Sequence, residues 1–222
     1  METNHSEAIN NALTILSKKR DETLDLCMQM LSVDNQNMYP VDLLAIGAAK
    51  RSLSTSAGFR NLIESLNMTC ARSVLRMQID TSLRFSAIWL VDNPHSFANE
   101  VISGAHIRTI KDKNGQKMTD AYLVKTLSQK HPWLKKVYEN LCGYIHFSEQ
   151  HLFSSVQSVD DETRSFEFAI TDEDSKYPES SWLEVIECFN EATDIFLSYL
   201  AGWVVTKGNP EGVANHALHS DG

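Results

Sequence analysis

Two groups of residues in this chain combine types and spacing that could do chemistry. Residues 138–151 read Tyr-Glu-Asn-Leu-Cys-Gly-Tyr-Ile-His-Phe-Ser-Glu-Gln-His. Wound as a helix, Tyr138, Cys142, Ile145 and Glu149 share one face, while His146 lies on a neighbouring stripe between Cys142 and Gln150. Gly143 leaves room for a close helix contact. His146 is the residue here whose ordinary pKa suits proton transfer near neutral pH. The plainer alternative is a core histidine bonded to a tyrosine or to the backbone. The second group is Arg72, Arg76, Asp80 and Arg84, spaced so that Arg76–Asp80 and Asp80–Arg84 can pair along one helix face. Three arginines against one aspartate leave positive charge that calls for an acidic or anionic partner. If the ladder instead faces solvent, each pair contributes only a few tenths of a kcal/mol.

Other common chemistries lack their residues. No Gly-x-Gly-x-x-Gly follows a strand, and there is no phosphate-binding P-loop or Gly-x-Ser-x-Gly elbow. His146, Glu149 and His151 do not form His-Glu-x-x-His, and the order is wrong for a di-iron bundle, so no metal and no cofactor are expected. The run from Asp112 to Gly115 begins like a calcium loop but lacks the later acids and the closing glutamate, which leaves a turn.

The elements that would carry these groups are mostly helical. Ile9, Leu13, Leu16, Leu24, Cys27 and Leu31 keep helical spacing, and Pro40 suits the first turn of a second helix over about 40–66. That helix is polar in its middle and is expected to kink or split near Gly58, with Gly47 and Gly58 admitting close backbones. A third, over about 68–91, carries the arginine ladder and stops at Asp92-Asn93-Pro94. A short helix near 97–102, a turn at Asn114-Gly115 and a Thr119-capped helix over 120–129 follow. The next helix is expected to run from Pro132 to Phe153 without a break. Only then does the period change to two. Phe166, Phe168 and Ile170 alternate with polar or small residues, which predicts a β-hairpin over about 154–171. A last helix spans about 181–205, and residues 207–222 read as a disordered tail. The fold class is therefore mostly α, a single domain over 1–206 built as a bundle of six or seven helices with one small β-hairpin.

Composition narrows the functional classes. The chain has 222 residues, 42% hydrophobic, with 20 basic and 29 acidic residues and a formal charge of −9. That balance argues against a broad nucleic-acid or anionic-membrane surface and leaves room for a local basic patch. Cys27, Cys70, Cys142 and Cys188 are far apart in apolar helical contexts, as in a reducing cytosol. The polar N-terminus and the absence of an 18-residue apolar run predict a cytoplasmic protein without membrane spans.

The Arg76-x-x-x-Asp80 step, followed by Tyr138-x-x-Leu141-Cys142-x-x-x-His146-x-Ser148, resembles poorly characterised bacterial helical proteins related to the HEPN superfamily, over about 51–151. The resemblance implies a helical bundle, usually dimeric, that binds RNA or nucleotide, with a role in defence or stress. Active members are metal-independent ribonucleases with an arginine separated from a histidine by four to six intervening residues, near the dimer seam. Here Glu139, Asn140 and Leu141 occupy those positions, so the catalytic arginine is unmatched. Two expectations stand side by side. In one, Arg76 and His146 are the catalytic candidates, Arg76 supplying in space the missing charge, with Arg72, Asp80, Arg84, Tyr138 and Ser148 in binding roles and Asp80 orienting Arg76. In the other, the same groups form a satisfied network in a non-catalytic, homo-oligomeric interaction or scaffold protein whose binding surface lies elsewhere, for example on the hairpin.

Overall fold

The computed structural model describes residues 5–146 and 148–209. In chain order the elements are α1 (Glu7–Ser32), α2 (Pro40–Glu64), α3 (Met68–Ser86), α4 (Pro94–Ile102), α5 (Asp120–Leu127), α6 (Trp133–Ile145), α7 (Glu149–Ser155), β1 (Val156–Asp160), β2 (Ser165–Phe168) and α8 (Glu179–Gly208). The fold is mostly α with one two-stranded antiparallel hairpin. Local signals place the starts. Ser6 accepts from the Ile9 amide, Asn67 from Cys70, Asn93 from Ser96 and Thr119 from Tyr122, so α1, α3, α4 and α5 each begin on a side-chain cap. No helix among the described residues is long and apolar enough to cross a membrane.

α3 is the central element, packed against α2, α5, α6 and α8, and α1 closes the bundle against α2 and α8. The core between them includes Phe59 stacked on Phe189 at 4.1 Å and Phe85 edge-on to Phe196 at 5.3 Å. The polar middle of α2 faces inward. Gln78 of α3, wholly buried, accepts from Thr55 (2.7 Å) and donates to Ser52 (2.9 Å) and to Thr193 of α8 (3.3 Å). Two helices thus meet α3 through a hydrogen-bonded knot within the apolar core. At one end of the bundle Lys207 and Asp42 pair at 2.9 Å with both side chains excluded from solvent. Asp42 also accepts from the Trp203 indole (2.8 Å) and the Tyr39 amide (2.8 Å), and Lys207 also donates to the Met30 carbonyl (2.8 Å).

Several boundaries differ from expectation. α2 runs unbroken through Gly58, and a Cβ at Gly47 or Gly58 would meet nothing within 4 Å, so neither glycine serves a close approach. The helix predicted over 68–91 ends at Ser86 and tightens into a 3₁₀ turn, Ala87–Leu90. The helix predicted from Pro132 to Phe153 is two helices. His146 is extended (φ −108, ψ 145), and Ser148 becomes the N-cap of α7, accepting from the Gln150 amide at 3.3 Å and donating to the Gly143 carbonyl at 2.8 Å. Serine competes for exactly this helix-start role, and apolar periodicity does not register the break. α8 continues to Gly208, so Lys207 belongs to a buried helix end rather than to a tail, while residues 210–222 lie outside the described residues. The loop at Asp112 is a turn. Its carboxylate accepts from the amides of Asn114 (2.9 Å) and Gln116 (2.8 Å) and from the Tyr122 hydroxyl, and Gly115 takes φ +79. Those bonds hold the Asp112 carboxyl below the usual range, the Tyr122 hydroxyl most of all.

Candidate functional site

The antiparallel packing of α3 on α6 sets the arginine ladder against two tyrosines. Arg76 lies with its guanidinium 3.6 Å from the Tyr138 ring centroid and donates to the Tyr138 hydroxyl. That hydroxyl donates in turn to Asp120 at 3.3 Å. Asp120 is the first residue of α5, also 4.0 Å from Arg76 and paired with Arg84. Arg84 reaches back to Asp80 (3.2 Å), and Asp80 takes Arg51 of α2 on its other oxygen (3.4 Å). The result is a chain, Arg51–Asp80–Arg84–Asp120–Arg76–Tyr138, running across α2, α3, α5 and α6. Burial pushes the Tyr138 phenol up to about 12, with the Arg76 charge opposing and the Asp120 charge assisting, so it is a hydrogen-bonding phenol at neutral pH.

Only part of the expected pairing occurs. Asp80 pairs with Arg84 as its spacing allows, but Arg76 turns to Tyr138 and Asp120, so Asp80 does not orient it. Asp120 supplies the acidic partner that the ladder lacked in sequence. Arg72 is left over. Among the described residues it has no carboxylate partner. It sits between the rings of Tyr144 (4.7 Å) and Tyr177 (4.9 Å) and donates to the Tyr144 hydroxyl.

Beside Arg72 a cleft of about 360 Å³ opens between α3, α6, α7 and α8. Leu75, Val137, Leu141 and Val185 give it apolar walls, and Arg72, Asn140, Tyr144, Gln150, Ser181 and Glu184 line it with polar groups. Cys188 also borders it, and burial together with the charges of Glu184, Glu187 and Glu191 pushes its thiol up to about 11. A thiol held protonated in that way is a poor nucleophile. Among the described residues no three His, Cys, Asp or Glu side chains stand together as a metal site.

His146 is not part of this arrangement. It ends α6, exposed to solvent, and is not among the residues lining the cleft. It lies eight positions beyond Tyr138, about 12 Å along a helix axis. Ser148 is occupied as a helix cap. The structure therefore joins Arg76, Arg84, Asp80 and Tyr138 in one network, sets Arg72 in the neighbouring cleft, and leaves His146 outside both. Sequence reasoning missed Asp120, which looks like an ordinary acid in a first helical turn, and Glu184, which is one of many acids on α8. No known protein family, curated protein or solved structure matches the chain.

Proposed function

We propose that the protein is a HEPN-like helical module that binds a nucleotide, or the end of an RNA strand, in the cleft at Arg72, and that it acts by binding rather than by cleavage. One observation carries this reading: Arg72 is the ladder arginine without a carboxylate partner among the described residues, and it lines the cleft. Its planar guanidinium suits bidentate capture of a phosphate. The amides of Asn140 and Gln150 can meet a base edge, the apolar walls can take the base, and Glu184 can accept from an exocyclic amine or a ribose hydroxyl. The volume lies at the small end of ligand pockets, which favours one nucleotide over a tract.

The position of His146, the base that the resemblance implies, outside the cleft argues for binding. A general base must reach its proton within hydrogen-bond distance, and His146, extended and exposed at the end of α6, does not line the cleft. Calorimetric titration with the four nucleoside 5′-monophosphates, orthophosphate and a 5′-phosphorylated oligoribonucleotide tests the reading. We expect nucleotide binding that weakens about 10- to 100-fold in Arg72→Gln, the range of a lost charge-assisted hydrogen bond, and only partly in Arg72→Lys. His146→Ala should bind as the wild type does. No binding by the wild type, or equal binding by Arg72→Gln, refutes the site. RNA cleavage that disappears in His146→Ala refutes the non-catalytic part.

A further inference from the structure

The hairpin carries an apolar face that nothing in the described chain covers. Its register pairs Val156 with Phe168 and Val159 with Phe166, and the bulge between Val156 and Ser158 absorbs Gln157. Directly opposed residues share a face, so the bulge gathers Val156, Val159, Phe166 and Phe168 on one side. Ser158, Glu167, Asp160 and Ser165 fall on the other. Without the bulge, Val156 and Val159, three residues apart, would face opposite ways. Phe166 and Phe168 lie stacked with centroids 6.2 Å apart, yet are 62% and 59% exposed, and Ile170 beyond them is 98% exposed. A two-stranded hairpin is marginal alone in water. This one is anchored. Lys176 donates to the carbonyls of Phe153 and Val156 (2.9 Å each), and Asp174 accepts from the Thr69 amide (3.0 Å) at the start of α3.

The same segment concentrates negative charge. Residues 156–174 hold seven acids and one arginine, a net −6 of the chain's −9. None of those acids forms an ion pair among the described residues. Val159, Phe166, Phe168 and Ile170 together expose on the order of 500 Å² of apolar surface, short of the ~800 Å² per partner of a standard interface. An occupant must therefore also engage the acidic rim. That requirement disfavours a second copy, which would set one acidic rim against another, and disfavours nucleic acid and anionic lipid.

We propose that the hairpin face docks a protein partner whose surface is apolar at its centre and basic at its rim. A defined probe is a fluorescein-labelled synthetic peptide of alternating leucine and lysine, read by anisotropy with the full chain. We expect saturable binding that weakens at least about 10-fold in Phe166→Ser/Phe168→Ser and in Asp161→Asn/Glu162→Gln, with Tm unchanged in both, because these side chains lie outside the core. The matching leucine–glutamate peptide should not bind. Equal binding by the phenylalanine variant, or equal binding of the acidic peptide, overturns the proposal. So does a wild-type dimer that Phe166→Ser/Phe168→Ser turns into a monomer by light scattering, which would make the occupant a second copy. Phenylalanine-dependent binding to zwitterionic phospholipid vesicles would overturn it in favour of a lipid surface.

Discussion

Replacing Lys207 by methionine removes one member of an ion pair whose two side chains are wholly excluded from solvent. The substitution keeps the volume and removes the charge. Asp42 would retain its bonds from the Trp203 indole and the Tyr39 amide but lose its counter-charge, and the Met30 carbonyl would lose its donor. Breaking a buried pair from one side costs about 3–5 kcal/mol, because the remaining charge stays buried and uncompensated. For a domain of this size that corresponds to a drop in Tm of about 6–20 °C. Urea unfolding followed by circular dichroism gives the loss directly, with the m-value as a check on two-state behaviour. The double variant Asp42→Asn/Lys207→Met removes both charges together, so its loss should fall below the sum of the single losses by at least about 2 kcal/mol. A loss under about 1 kcal/mol in Lys207→Met, or an additive cycle, would refute the view that this pair pins the start of α2 to the end of α8.

Three further outcomes follow from the core and the ladder. Folding holds the proton on Tyr138 up to about 12, above the ordinary value of 10, so its contribution is fully present below pH 10 and is lost as pH rises through about 12. Urea midpoints should fall over that window, and Tyr138→Phe should flatten part of the fall. In Asp120→Asn, where an adjacent negative charge is gone, spectrophotometric titration should find the Tyr138 phenol ionising at lower pH; an unchanged titration contradicts the assigned contact. Gln78→Met should cost about 1–2 kcal/mol in urea unfolding. The loss is held down because Thr55 and Thr193 keep hydrogen bonds to carbonyls of their own helices; a loss above about 4 kcal/mol would mean that the knot acts as a unit.

The helical class and most helix starts were legible because apolar spacing and caps are local. Ser148 shows the limit: it is both a plausible helix residue and a strong cap, and the choice depends on Gly143 offering a carbonyl to its hydroxyl. The excess charge of the ladder was also legible, as a demand for an acidic partner. Which acid met it was not. Asp120 lies 36 residues from Arg84 and reaches it only because α5 packs on α3. Lys207 misled for the same reason, since a lysine near Gly and Asn looks like a tail until Asp42 is found 165 residues away.

The charge balance also bears on what the Arg72 cleft can accept. Of the chain's −9, the 19 residues of 156–174 hold −6, which leaves −3 for the rest. The helical body is thus close to neutral, and its negative field is concentrated on the excursion that begins where α7 ends. α7 contributes Gln150 to the cleft wall and leads directly into that acidic segment. A long polynucleotide lying across the cleft would carry phosphates toward it, and each would meet repulsion where nucleic-acid binders normally place lysine and arginine. In the proposed binding mode a single nucleotide would bring its phosphate to Arg72 and little charge elsewhere. The same holds for a strand end that enters and stops. Affinity should therefore fall, not rise, as an oligoribonucleotide is lengthened from its 5′-phosphate. A proper RNA-tracking surface gives the opposite trend, so a length series separates the two.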